Sequence, residues 1–294
     1  MEIFSYIFYF PTSLCGPSCE FADFKKFIYF ENEYKNIPWK KCNKLGFIDF
    51  MLSIGCVMIV VLIGKIFPAG YCGTEEYVNE TMVYKYFYFV LSMLTTRSRY
   101  YVAWKMSQSS CIFSGLSYSE EHGDKIDNCN LYNIEINLNV RTRIQFWNRS
   151  VHLWLKYHVY MRLINLERKP FKNNKALASL LTFMISACWH GFYPVYYIFF
   201  FLYYLIEQCA VALDEKLDFF NWIKKQNIFI KALWWLFIMS ILNYFGNVFV
   251  LLRVSLMLNF FRAFYHIPNI ILFGGYYYLC VYLKKPKSHN NKTE

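Results

Sequence analysis

Between Ala176 and Ile206 the chain runs ALASLLTFMISACWHGFYPVYYIFFFLYYLI, a stretch with no residue charged at neutral pH unless His190 is protonated. About 20 apolar residues cross a bilayer core, so the run is too long for one upright helix. Two segments meeting near the histidine fit better. Gly191 and Pro194 are the natural joint, because one loosens the backbone and the other removes a donor. An ionisable ring at membrane depth is costly, so by default it faces a cavity or a partner and marks function. The plain alternative is a histidine satisfied by a neighbouring helix.

Composition agrees with a membrane setting: 56% of the 294 residues are hydrophobic and 17% charged, against roughly 25% charged in soluble domains. The sequence therefore predicts an all-α polytopic transmembrane bundle with re-entrant and amphipathic helices. It is expected to form one membrane domain over 1–283, followed by a basic, disordered tail over 284–294. The net charge of +11 lies in loops between apolar runs. There it suits anionic headgroups or acyl-CoA phosphates, and nucleic acid is not an expected partner. Ten cysteines without a CxxC pair make neither a disulfide framework nor a metal site, and most read as small buried hydrophobes. The start, MEIFSYIFYFPTSL, lacks the basic region and cleavage site of a signal peptide.

Taken in order, residues 25–44 read as a polar, basic loop and Phe50 to Gly64 as a first span extending to about Gly73. Tyr84–Thr96 and Met106–Ser119 read as two short helices divided by Arg97 and Arg99. Residues 120–139 read as an exposed acidic and Asn-rich excursion. Ile144, Trp147, Val151, Trp154, Leu155 and Val159 have helical spacing, which predicts an amphipathic helix on the membrane surface. Residues 167–175 form a basic loop placed, with the tail, on the cytosolic side. Asp214–Lys231 is a polar hairpin, and Ala232–Leu252 is a span. Val254–Leu283 is a last apolar segment interrupted by Arg262, His266 and Pro268.

Two polar groups in apolar surroundings carry the chemistry. A histidine kept from bulk water stays neutral near pH 7, and His190 can then accept a proton from a hydroxyl, a step contributing roughly 10²–10⁴-fold in rate. The amide of Asn148 can orient that hydroxyl or donate to developing oxyanion charge. No Ser or Cys sits at a nucleophile elbow, so direct transfer is more natural than a covalent enzyme intermediate. His152 and His158 read as interface residues, and the aromatic cluster Phe199–Tyr204 as lipid-facing packing. Arg141, Arg143, Lys156 and Arg162 can meet CoA phosphates, although solvated or headgroup-facing positions are the plainer reading for each, and Glu135 can hydrogen-bond within the site or serve only in the loop.

A set of motifs in order resembles the membrane-bound O-acyltransferase family, in particular its lysophospholipid acyltransferases of the fungal broad-specificity type. These are FPTSLCGPSCEFADF (10–24), RYYVAW (99–104), SGLSY (114–118), WNRSVHLWL (147–155) with VYMR (159–162), and SACWHGFYPVYY (186–197). The resemblance implies that His190 and Asn148 are the catalytic pair. Trp147, Trp189, Tyr196 and Tyr197 flank the pair and, with Glu135, Arg141 and Arg143, complete the expected substrate-binding set. It also implies transfer from acyl-CoA, a co-substrate rather than a cofactor, to the free hydroxyl of a lysophospholipid, in the endoplasmic reticulum membrane. No metal is expected.

Two departures stand out. Val195 replaces the usual glycine of PGYY, and family members carry several spans ahead of the GPxxE region, near which this chain begins. The sequence is therefore expected to lack N-terminal spans. Other acceptors, a sterol, diacylglycerol or protein, keep the fold. The sterol and diacylglycerol branch has an FYxDWWN-like motif, whereas Gln145-Phe-Trp-Asn lacks its acidic residue. An inactive truncated paralogue is the non-enzymatic alternative.

Overall fold

In water a helix buries its apolar face, but in lipid it buries the small and polar one. Helix α1 (Trp39–Ile63) follows the second rule. Its buried residues are Cys42, Gly46, Asp49, Ser53 and Cys56, spaced four, three, four and three apart, while Phe47, Met51, Met58, Val61 and Leu62 point outward. That stripe meets α2 (Met82–Ser114). Ser109 Oγ donates to the Gly46 carbonyl at 2.8 Å, Lys105 Nζ to Asp49 Oδ1 at 2.9 Å, and Ser53 Oγ to the Val102 carbonyl at 3.0 Å. As the first number falls the second rises, so the pair is antiparallel.

This computed structural model describes residues 1–13, 15–17, 19–119, 127–166, 170, 172 and 174–283. After α2 come three short helices, α3 (Leu131–Glu135), α4 (Val140–Phe146) and α5 (Arg149–Leu155). The long pair α6 (Lys175–His190) and α7 (Pro194–Leu217) follows, and then α8 (Ile228–Leu251), α9 (Val254–Ala263) and α10 (Ile267–Tyr276). No strand occurs among the described residues, and the fold is all-α. Among the described residues three helices, α1, α7 and α8, are long and apolar enough to cross a membrane. A fourth crossing exists if α9 and the stretch Ile267–Tyr282, bent by 92° at their break, count as one span.

Asparagine and threonine start the helices, each side chain accepting a backbone N–H that the first turn leaves unpaired. Thr81 caps α2, Asn130 α3, Asn139 α4, Asn174 α6 and Asn227 α8. The aromatic core lies where α2, α7, α8 and α9 meet, with Phe245, Val248 and Phe260 fully buried. Tyr203 Oη donates to the Leu242 carbonyl at 3.0 Å and ties α7 to α8.

Several sequence expectations change. The two short helices expected over 84–119 are one continuous helix, Met82–Ser114, closed by Gly115 in the left-handed region. Arg97 does not break it, because a carboxylate on α3 meets the charge and no Gly or Pro interrupts the backbone between Met82 and Ser114. The first span begins at Trp39 rather than Phe50 and stops at Ile63, short of Gly73. Lys40, Lys41 and Lys44 are thus in helix instead of loop. The expected continuous surface helix over 144–159 is divided at Trp147–Asn148. Of the segment 120–139, residues 120–126 lie outside the described residues. The remainder is not an exposed excursion, since Asn128 and Cys129 are buried. The tail over 284–294 and most of the loop over 167–175 also lie outside the described residues.

Candidate active site

The joint expected around His190 is where the structure bends. His190 is the last residue of α6, and Gly191 follows at φ 134° and ψ −178°, a region essentially reserved for glycine. Pro194 then opens α7 at the first helical position, where a missing N–H costs nothing. Phe200 stacks on the imidazole at 5.1 Å, Phe249 of α8 meets it edge-on at 5.1 Å, and Tyr196 lies at 5.9 Å. The ring remains accessible and lines a cavity of about 710 Å³.

Asn148 lines the same cavity. It sits between α4 and α5 in the left-handed region, φ 48° and ψ 58°, a conformation that asparagine tolerates better than most residues. What holds it there is Asn128. The Asn128 carbonyl accepts from Arg149 N at 2.9 Å, and its Oδ1 accepts from Ser150 N at 2.9 Å. Its own N–H donates to Gln108 Oε1 at 3.1 Å. Trp147 is pinned from the other side, its ring 5.0 Å from Trp104 and 5.7 Å from Tyr101 of α2.

A polar cluster closes the wall beside α2. Arg97 donates to both carboxylate oxygens of Glu135, at 2.8 and 3.2 Å, and also to Asn243 Oδ1 of α8. Tyr101 Oη donates to Glu135 Oε1 at 2.6 Å, and Trp235 Nε1 to the Glu135 carbonyl. Burial alone would raise the Glu135 carboxyl. The Arg97 charge, the Arg97 and Tyr101 hydrogen bonds and Arg143 outweigh it and hold the group below its ordinary value. Arg143 donates to the carbonyls of Asn137 and Ile134. Burial pushes it down to about 10, so it remains a cation at neutral pH.

Lys175, Ser179, Thr182, Phe183, Ser186 and His190 place one face of α6 along the cavity. At 1.5 Å per residue this stripe runs about 22 Å from the ammonium of Lys175 to the imidazole. Arg149, directly after Asn148, and Lys156 also line the cavity, which therefore carries basic groups as well as the histidine. His152 lines it too, although its sequence context reads as an interface. Burial, then Lys156 and Arg149, push its ring down to about 4, so it is neutral.

The structure thus brings His190, Asn148, Trp147, Arg141 and Arg143 to one cavity, with Glu135 bonded into its wall through Arg97. Trp189 is 60% exposed and is not among the lining residues. Tyr196 touches the imidazole and Phe249 from behind, and Tyr197 shares a hydrogen bond of 3.3 Å with Cys188. His158 lies against Trp154, and His266 occupies the bend before α10. The cluster Phe199–Tyr204 does not simply face lipid, because Phe199, Phe200 and Tyr203 line the cavity. Sequence reasoning missed Asn128 and Glu207. The signal for Asn128 was an amide in the Asn-rich stretch ahead of the Trp147-Asn148 motif, and for Glu207 a carboxylate directly ending the longest uncharged run.

The sequence profile of the membrane-bound O-acyltransferase family matches residues 1–251. A lysophospholipid acyltransferase of Saccharomyces cerevisiae is 28% identical over 236 residues, covering 71% of this chain and 37% of the relative. Lysophospholipid acyltransferase 6 of Drosophila melanogaster is 31% identical over 221 residues, covering 68% and 29%. Human membrane-bound glycerophospholipid O-acyltransferase 2 is 26% identical over 316 residues, covering 100% and 58%. The chain therefore spans less than half the length of the yeast and fly proteins.

Proposed function

The chain belongs to the membrane-bound O-acyltransferase family, and from that premise we propose that it transfers a fatty acyl group from acyl-CoA to the free hydroxyl of a lysophospholipid, in the endoplasmic reticulum membrane. The observation that carries this reading is the common cavity of His190 and Asn148, with basic side chains on the same wall. His190 takes the hydroxyl proton as the oxygen attacks the thioester carbonyl. The Asn148 amide orients the hydroxyl or donates to the developing oxyanion. The thiol of CoA leaves with the proton, so no covalent enzyme intermediate is needed. Lys175, about 22 Å along α6 from His190, suits the phosphates of CoA, and Arg149 and Lys156 add positive charge to the same cavity. Aromatic walls at Phe199, Phe200 and Phe249 keep water from the thioester, so that positioning supplies much of the remaining acceleration.

Membranes containing the chain, given labelled acyl-CoA and a panel of lysophospholipids, should form labelled phospholipid. His190→Ala should abolish it. Full activity in that variant would sink the mechanism, and labelling of sterol, diacylglycerol or protein alone would sink the acceptor.

A further inference from the structure

Glu207 is a cavity carboxylate that the transfer chemistry leaves unused. It projects from α7 onto the cavity wall, half-buried, and accepts one hydrogen bond, from Ser179 Oγ of α6 at 2.9 Å. Among the described residues no cation forms an ion pair with it. Arg141, on the same wall, acts on it only through its charge, and the Arg141 Nε is buried without a hydrogen-bond partner. Aromatic rings share that wall: Tyr203 one turn earlier on α7, Phe183 one turn beyond Ser179 on α6, and Tyr160 after α5.

A carboxylate among aromatic faces suits an ammonium, and a guanidinium with a free donor suits a phosphate. One acceptor carries both charges side by side, a lysophospholipid with an amine headgroup. The spacing agrees. Phe200, on which the imidazole stacks, precedes Glu207 by seven residues, about 10 Å along the helix. In lysophosphatidylcholine or lysophosphatidylethanolamine eight bonds separate the free sn-2 oxygen from the nitrogen. That is about 10 Å at the roughly 1.2 Å per bond of an extended chain.

We infer that Glu207 selects the headgroup: with Tyr160, Phe183 and Tyr203 it holds the ammonium of an amine-bearing lysophospholipid while Arg141 meets the phosphate and the hydroxyl reaches His190. This rests on the acyl-transfer reading and names the acceptor class within it. An inositol or glycerol headgroup offers no cation to Glu207, and lysophosphatidic acid brings extra negative charge toward it.

The test uses the full chain in nanodiscs, with labelled lysophosphatidylcholine as the probe. Its competitors are lysophosphatidylethanolamine, lysophosphatidylinositol and lysophosphatidic acid. The amine lipids should compete about tenfold better than the other two, the size of a desolvated cation contact. Glu207→Gln should remove the difference by weakening the amine lipids alone and should leave the KM for acyl-CoA unchanged. Glu207→Asp keeps the charge and should keep a preference, and it serves as the readout if the Gln variant does not fold. Equal wild-type affinity for choline and inositol lipids would overturn the inference. So would uniform weakening of all four lipids in Glu207→Gln, or a raised KM for acyl-CoA instead. Selective amine binding without acyl transfer would leave the headgroup site standing and refute the reaction.

Discussion

Removing the Glu135 carboxylate gives the most demanding test of how the site is held. In Glu135→Ala, Arg97 loses both partners of its bidentate contact and Tyr101 loses its acceptor. The side chains of Arg97 and Glu135 are only 12% and 24% exposed, so water cannot easily replace the lost carboxylate. Breaking a buried pair from one side costs about 3–5 kcal/mol, because the remaining charge is stranded. At roughly 2–4 °C per kcal/mol, the apparent Tm of the purified protein should fall by about 10 °C. Removing both charges together, in Arg97→Met with Glu135→Gln, should recover more than half of that loss. The same pairing fixes a pH window. A carboxyl held below its ordinary value adds stability above the unfolded-state pKa of about 4.3, and that contribution is lost as pH falls through the lower folded value. Between pH 7 and 5.5 the Glu135 contribution to Tm should therefore stay constant. A single substitution costing under about 1 kcal/mol, or a double variant no better than the single, would refute the idea that charge pairing lets α2 run unbroken past Arg97.

Other consequences are simpler to measure. Asn148→Gly keeps the left-handed backbone without strain, so its Tm should stay within a degree or two while acyl transfer falls about 10²-fold or more, as at other sites that lose one oxyanion donor. Gly191→Ala meets no atom closer than 3.6 Å, yet φ 134° strains any side chain. It should cost about 1–3 kcal/mol and slow transfer by shifting the imidazole, seen as lower kcat with little change in acyl-CoA KM. Asn128→Ala removes the Oδ1 that accepts from Ser150 N at the start of α5 and should lower kcat about tenfold or more while His190 remains intact.

How far the sequence reveals this arrangement depends on the kind of information each part needs. The joint at Gly191–Pro194 is local: a glycine in a glycine-only conformation and a proline at a helix start announce themselves, and α6 and α7 follow from the uncharged run. The span at α8 is equally plain, needing only length and an asparagine cap. The course of α2 is different. Arg97 and Arg99 look like a boundary until a carboxylate from 38 positions later is known to lie alongside. The break at Asn148 escapes periodicity, because the apolar spacing continues across it while a single amide from before α3 redirects the backbone. The small and polar residues on α1 are its packing face, a role that shows only once α2 lies alongside. Long-range partners, rather than propensity, decided each of these.

The antiparallel register of α1 and α2 leaves the two helices unequal. Ser53 meets Val102, so Ile63 falls near residue 92, and the first ten residues of α2 continue alone for about 15 Å. That free length does not hang in the open, because Tyr88 and Phe89 lock into the shelf formed by Tyr77, Phe260 and Phe264. One rod is thus clamped at both ends by different parts of the molecule, with Arg97 near its midpoint as at the fulcrum of a beam. A shift of α9 would tilt that beam and be felt at the cavity wall, so residues far from the imidazole can tune the reaction without touching a substrate.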